Sequence, residues 1–126
     1  MPGQRNGVAP ALNDAVLDEL SASLGPAGER VLSQIIHLFL DAVPKTMAGI
    51  RMAAEARDPR GLARSAHRLR GDAATIGATP LESLCAEAEL HGWAEDLSAA
   101  RDLIDPIAAE LTRVETALRA RKDAAA

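Results

Sequence analysis

The chain has 126 residues, enough for one domain around a single core. Ala and Leu supply 43 residues against 16 for Val, Ile and Thr. A sandwich or barrel needs far more β-branched and aromatic side chains than that, so an all-α fold is expected. With 14 basic and 18 acidic residues the net charge is −4, which excludes a surface that holds nucleic acid or anionic lipid over its whole extent, and the lone Cys85 excludes an internal disulfide or a Cys-x-x-Cys zinc site.

Residues 1–12 open on a Gly- and Pro-rich run without apolar period and are expected to form a flexible arm. They contain no apolar stretch of the signal-peptide kind, and no later run approaches the ~18 unbroken apolar residues of a membrane span. A cytoplasmic location is therefore expected, with no membrane or nucleic-acid partner.

Asn13 caps a short first helix with Val16, Leu17, Leu20 and Leu24 inward, closed by Gly25 and Pro26. From Glu29 to about Arg57, the residues Leu32, Ile35, Ile36, Phe39, Val43, Met47, Ile50 and Ala54 recur at three- and four-residue steps and predict a long second helix, bent at Pro44. Asp58-Pro59 starts a third helix with Leu62, Ala66, Leu69, Ala73 and Ile76 as its core stripe and Gly77 as its stop. Thr79-Pro80-Leu81-Glu82 reads as a capping box for a fourth helix, ended by Gly92. A fifth runs from Leu97 to Arg121 and is bent or split at Pro106. Short connections make neighbours antiparallel. The expected architecture is an antiparallel four-helix bundle over residues 13–122 with a short extra N-terminal helix, and a frayed tail at 123–126.

Of the three histidines, His37 reads as structural or merely exposed, and His91 as a cation suited to the C-terminal end of its helix dipole. His67 differs. With Leu62 at zero on the helical wheel, the core stripe spans about 320° to 40° and His67 falls near 140°, off the core. Ala63, Gly71 and Ala74 flank it with minimal side chains, and Arg64 and Arg70 lie three residues to either side. An ordinary surface histidine on an alanine-rich helix would look the same. The stretch from Arg57 to Arg70 is rich in arginine (Arg57, Arg60, Arg64, Arg68, Arg70), whereas Leu81 to Asp96 holds five acids and no Lys or Arg. Simple ion pairing between the two helices accounts for this, and so does a cluster of arginines gathering a phosphoryl group near His67.

The run AHRLRGDAATIGATPLESLCAEAELHG, Ala66 to Gly92, resembles the histidine phosphotransfer (HPt) pattern A-H-x-L-K-G-S-S-x-x-L-G-A-x-x-L-x-x-L-C-x-x-L-E-x-x-G without gaps. The resemblance implies a phosphorelay intermediate whose His67 takes a phosphoryl group from a receiver-domain aspartate and passes it to another receiver. Its partners would be the receiver domains of response regulators and of a hybrid histidine kinase. It further implies that Arg70 stands at the usual lysine to stabilise the phosphoryl group, with a possible contact from Arg64. Glu89, where many members carry glutamine, would orient His67, and the small Gly71 would give access. Asp72 replaces a small residue and points away from His67, within reach of Arg68.

The chain carries no nucleotide-binding loop, so autonomous kinase activity is not expected. No cofactor is expected either; Mg2+ would belong to the receiver. A monomer is the expected state. The alternative is an HPt-like module that binds receivers or kinases without carrying phosphate. A carboxylate–histidine metal bundle lacks its Glu-x-x-His pairs, and a helix-turn-helix DNA binder would turn glutamates toward phosphates.

Overall fold

A computed structural model of the chain describes residues 9–125, and among these there are only helices and turns. They are α1 (Asp14–Ser23), a 3₁₀ turn (Gly25–Ala27), α2 (Gly28–Glu55), α3 (Pro59–Thr75), α4 (Thr79–Trp93), α5 (Leu97–Arg101) and α6 (Ile104–Ala125). The stripes predicted for α2 and α3 are buried or half-buried: Leu32, Ile36, Phe39, Val43, Ile50 and Ala54 of α2 join Leu62, Ala66, Leu69 and Ala73 of α3, with Leu81, Cys85 and Ala88 of α4 and Ile107, Leu111, Val114 and Leu118 of α6 completing one core. In α1, Leu17 is buried and Val16 and Leu20 are half-buried, but Leu24, expected inward, is exposed, because α1 ends at Ser23 and Leu24 is its C-cap. α3 packs most extensively on α4, then on α2.

The junctions α2–α3, α3–α4 and α4–α5 are built alike, each from three residues. The first ends the helix, the second turns left-handed and the third caps the next helix. At α3–α4, Gly77 (φ +74°) takes the left-handed place, and the amide of Ala78 returns to the carbonyl of Ala73 at 2.9 Å. A Cβ at Gly77 would also come within 2.9 Å of the Asn13 carbonyl oxygen, whose own amide donates to the Gly77 carbonyl at 2.7 Å. The other two junctions use Arg57 (φ 56°) and Glu95 (φ 59°), a conformation that costs a side chain of either kind ~1–2 kcal/mol. In exchange the capping residues Asp58 and Asp96 accept from the amides of Gly61 and Ala99 at 2.9 and 3.1 Å.

Several expectations change. Within the segment expected as a flexible arm, Ala11 and Leu12 are instead buried in the core, and Arg113 of α6 donates to the Ala9 carbonyl at 2.6 Å. Residues 1–8 of the expected arm lie outside the described residues, as does residue 126 of the expected tail, while α6 is helical through Ala125. Thr79 is not a cap. Ala78 holds that position, and the Thr79 hydroxyl turns back to the Gly77 carbonyl at 3.5 Å. As expected, α2 runs through Pro44 as one helix; the proline is exposed, on the side where a carbonyl freed of its partner can be hydrated. The fifth predicted helix is split at Asp102–Leu103, so Pro106 falls in the first turn of α6, where its missing amide costs nothing. α1 is tied across the bundle by Arg121, whose guanidinium reaches Asp14 at 3.2 Å and Asp18 at 2.7 Å.

Gly92 does not stop α4. The helix runs one residue past it, because Gly92 is where α4 crosses the start of α3: a Cβ there would stand 2.6 Å from the Pro59 carbonyl oxygen and 2.8 Å from the Ala63 Cβ. Asp72 lines the groove between α2 and α3 with Ile35, Leu38, Phe39 and Ile76. It forms no ion pair with Arg68; burial pushes its carboxyl above the ordinary value of 3.8, and the charge of Arg68 offsets this only in part.

Two stability measurements follow from this packing. Gly92→Ala should lower Tm by roughly 3–10 °C, because overpacking against backbone outweighs the ~1 kcal/mol gained in helix propensity. Asp72→Asn should raise Tm at pH 7. The folded state favours the neutral acid, so the cost of ionised Asp72 is absent below its ordinary value and appears as pH rises through the raised one; the advantage of Asn should therefore shrink as thermal melts are taken toward pH 3.8.

Candidate functional site

The buried stripe of Leu62, Ala66, Leu69 and Ala73 fixes the rotation of α3 and leaves His67 on the outer face, its side chain 61% exposed. Small residues line the α3–α4 seam, and across it Glu89 of α4 reaches the histidine. Glu89 is itself nearly covered, at 14% exposure, and its Oε2 lies 2.9 Å from Nδ1 of His67. Arg70 spans both groups. Its Nη1 is 3.2 Å from Glu89 Oε1, and its Nη2 is 3.2 Å from His67 Nδ1. The indole Nε1–H of Trp93 donates to the same Oε2 at 3.3 Å.

Donor and acceptor chemistry settles the protonation pattern. A carboxylate accepts and a guanidinium only donates, so the short Nδ1···Oε2 contact places the ring proton on Nδ1, and Arg70 Nη2 rests beside a nitrogen that has no lone pair to offer it. Nε2 is left unprotonated in the neutral ring and faces away from Glu89. Glu89 Oε1 is buried and meets Arg70 as an ion pair, outside hydrogen-bonding geometry, so charge rather than an aligned N–H compensates it.

The other expected site residues are distributed around this centre. Gly71 is exposed, and a Cβ built on it would meet nothing within 4 Å, so packing within the chain does not require a glycine there. It opens onto a groove with Arg70, Ala74, Glu82, Ser83 and Ala86. Arg64 is exposed and makes no side-chain ion pair or hydrogen bond among the described residues. Ala63 is fully buried at the α3–α4 seam and so does not belong to the small-residue collar expected around His67. Of the basic and acidic helices, Arg60 and Glu95 pair loosely at 3.8 Å on the surface, whereas Arg70 and Glu89 form the close pair.

His37 is exposed and pairs with Asp41 one turn on, at 3.4 Å. His91 stands in the last turn of α4, as expected. Cys85 is fully buried beneath the site; burial pushes its thiol up to about 12, with Arg70 drawing it down and Glu89 raising it, so it remains a thiol at neutral pH. No group of three or more metal-ligating side chains occurs among the described residues, and no described helix is long and apolar enough to cross a membrane. Sequence reasoning gave Trp93 no part. The available signal was its position four residues after Glu89, one turn on along the same helix face.

Comparison with known proteins agrees with this geometry. Residues 34–120 match the family model described as the Hpt domain. Among solved structures, the chain is similar to histidine-containing phosphotransfer protein B (HptB) from Pseudomonas aeruginosa PAO1, at 26% identity and a TM-score of 0.81, over 92% of this chain and 97% of that one. It also shares its fold with the HPT domain of an Hpt sensor hybrid histidine kinase from Shewanella, at 24% identity and a TM-score of 0.70, over 86% and 91% of the two chains. No curated protein matches the sequence significantly. An exposed histidine on a helical bundle, matched by the family model over most of the chain, leads to one conclusion: the chain belongs to the Hpt domain family, the phosphocarrier modules of two-component phosphorelays.

Proposed function

We propose that His67 is the phosphoryl acceptor of a phosphorelay, charged by a receiver-domain aspartate of a hybrid histidine kinase and discharged to the receiver of a response regulator, in the cytoplasm. One observation carries the reading: Nδ1 is engaged by Glu89 at 2.9 Å while the ring stays 61% exposed, which leaves Nε2 as a free, oriented nucleophile.

In the transfer, the Nε2 lone pair attacks phosphorus in line with the acyl-phosphate oxygen. An N–P bond forms, the P–O bond breaks, and the aspartate leaves as a carboxylate. Because Nδ1 keeps its proton, positive charge develops on the ring, and the carboxylate of Glu89 is placed to offset it, as an acid paired with a catalytic histidine does in hydrolases. A glutamine would orient the ring without supplying that charge. Arg70 has hydrogens on Nη2 that Nδ1 cannot accept, and these are available to phosphoryl oxygens. Arg64, exposed three residues before His67, is a second candidate for that contact. Mg2+ chemistry would belong to the receiver. An interaction module without phosphate would have no use for a ring held with one nitrogen clamped and the other open.

The test is incubation with a panel of phosphorylated receiver domains. Wild type should take up acid-labile phosphate, and His67→Gln should take up none while keeping its helical circular dichroism; full labelling of that variant would overturn the assignment. Gly71→Leu should fold at least as stably as wild type, since nothing lies within 4 Å of the new Cβ. A branched side chain one turn from the ring should nevertheless slow transfer by about tenfold or more, the equivalent of roughly 1.4 kcal/mol at a docking surface. Unchanged transfer would show that the receiver does not approach over Gly71.

A further inference from the structure

We infer that Trp93 is a positioning residue for the phosphoryl-acceptor histidine, acting through Glu89. The inference rests on the phosphotransfer reading of His67 and adds a member to its site. The side chain of Glu89 ends in a carboxylate that is free to rotate unless both oxygens are held. Arg70 holds Oε1 from α3 at 3.2 Å, and Trp93 holds Oε2 from α4 with its indole N–H at 3.3 Å. Charge draws Oε1 toward Arg70, and the indole N–H is the directional contact on Oε2, whose remaining acceptor direction meets Nδ1 of His67 at 2.9 Å. Orientation of a ring nitrogen by a carboxylate that is itself hydrogen-bonded is the arrangement by which outer partners tune histidine ligands and bases.

Trp93 owes its place to the backbone. α4 continues past Gly92 to the left-handed turn at Glu95, and Gly92 permits this by letting the last turn of α4 lie against Pro59 and Ala63. Trp93 therefore stands one helical turn from Glu89 on the same face. At 46% exposure it is too open to be counted a core residue, so its contact with Oε2 is not a by-product of burial. If the indole N–H is removed, the Glu89 carboxylate gains rotational freedom, and the neutral ring of His67 redistributes toward the tautomer protonated on Nε2. That tautomer has no lone pair at the attacking nitrogen.

The experiment compares wild type, Trp93→Phe, Glu89→Ala and the double variant, by nitrogen NMR of the histidine tautomers and by the rate of phosphoryl uptake from a phosphorylated receiver domain. Trp93→Phe keeps the ring and removes the donor. It should reduce the Nδ1–H population of His67 and slow uptake by about three- to tenfold, with Tm unchanged. In the Glu89→Ala background the same change should do nothing further to either readout. Because Trp93 is the sole tryptophan, its single indole N–H resonance should also move in Glu89→Ala.

Wild-type tautomers and rate in Trp93→Phe would overturn the inference. An equal loss of rate in both backgrounds would also overturn it, since Trp93 would then act on the docking partner directly. The tautomer measurement needs no phosphate, so it decides the role of Trp93 even if wild type accepts none, an outcome that would instead sink the relay reading.

Discussion

Glu89 and His67 are on different helices, and a 2.9 Å contact between their side chains is possible only because α3 and α4 pack closely where the two residues stand. Helix separation follows from what lies at the seam. Here both helices bury small residues, Ala63, Ala66 and Ala73 on α3 and Cys85, Ala88 and Gly92 on α4, and Gly92 lies directly against Ala63. Leucine at any of these positions would push the helices apart and carry the carboxylate out of reach. The site chemistry is thus a consequence of the seam, and so is the amount of packing between α3 and α4, the most extensive among the described helices.

The three-residue junctions impose the second constraint. They allow no slack, so the register of α4 on α3 is fixed by where α3 stops and α4 starts. At α3–α4 the left-handed position is a glycine and the cap is an alanine, and at the other two junctions a charged residue turns left-handed and an aspartate caps. Ala78 is fully buried, where an aspartate would be desolvated without a partner, so that junction relies on the glycine instead.

Much of this was legible in the chain. The apolar stripes of α2 and α3 gave most of the core residues of those helices, and the wheel position of His67 gave its exposure, because both follow from helical period alone. What the sequence concealed were features decided by tertiary contact. Gly92 reads as a stop on its own helix, but its role is set by Pro59 and Ala63 of another. Thr79 has every feature of a cap until the turn at Gly77 assigns that place to Ala78. Arg57 and Glu95 carry no sign that they turn left-handed, since tertiary packing and the aspartate caps outweigh their local preference. The pairing of Arg70 with Glu89 was hidden for the same reason: a resemblance names the residue but not which way its guanidinium faces. Trp93 was lost with the last turn of α4.

His67 presents one open nitrogen on the exposed face of α3. On the proposed reading, a receiver that donates and a receiver that accepts must both bring their aspartate in line with the same Nε2 over the same surface. They are then mutually exclusive occupants. The protein cannot bridge two receivers in a ternary complex, and relay flux would follow ping-pong kinetics, in which excess of either unphosphorylated receiver competes with the other for a single landing site.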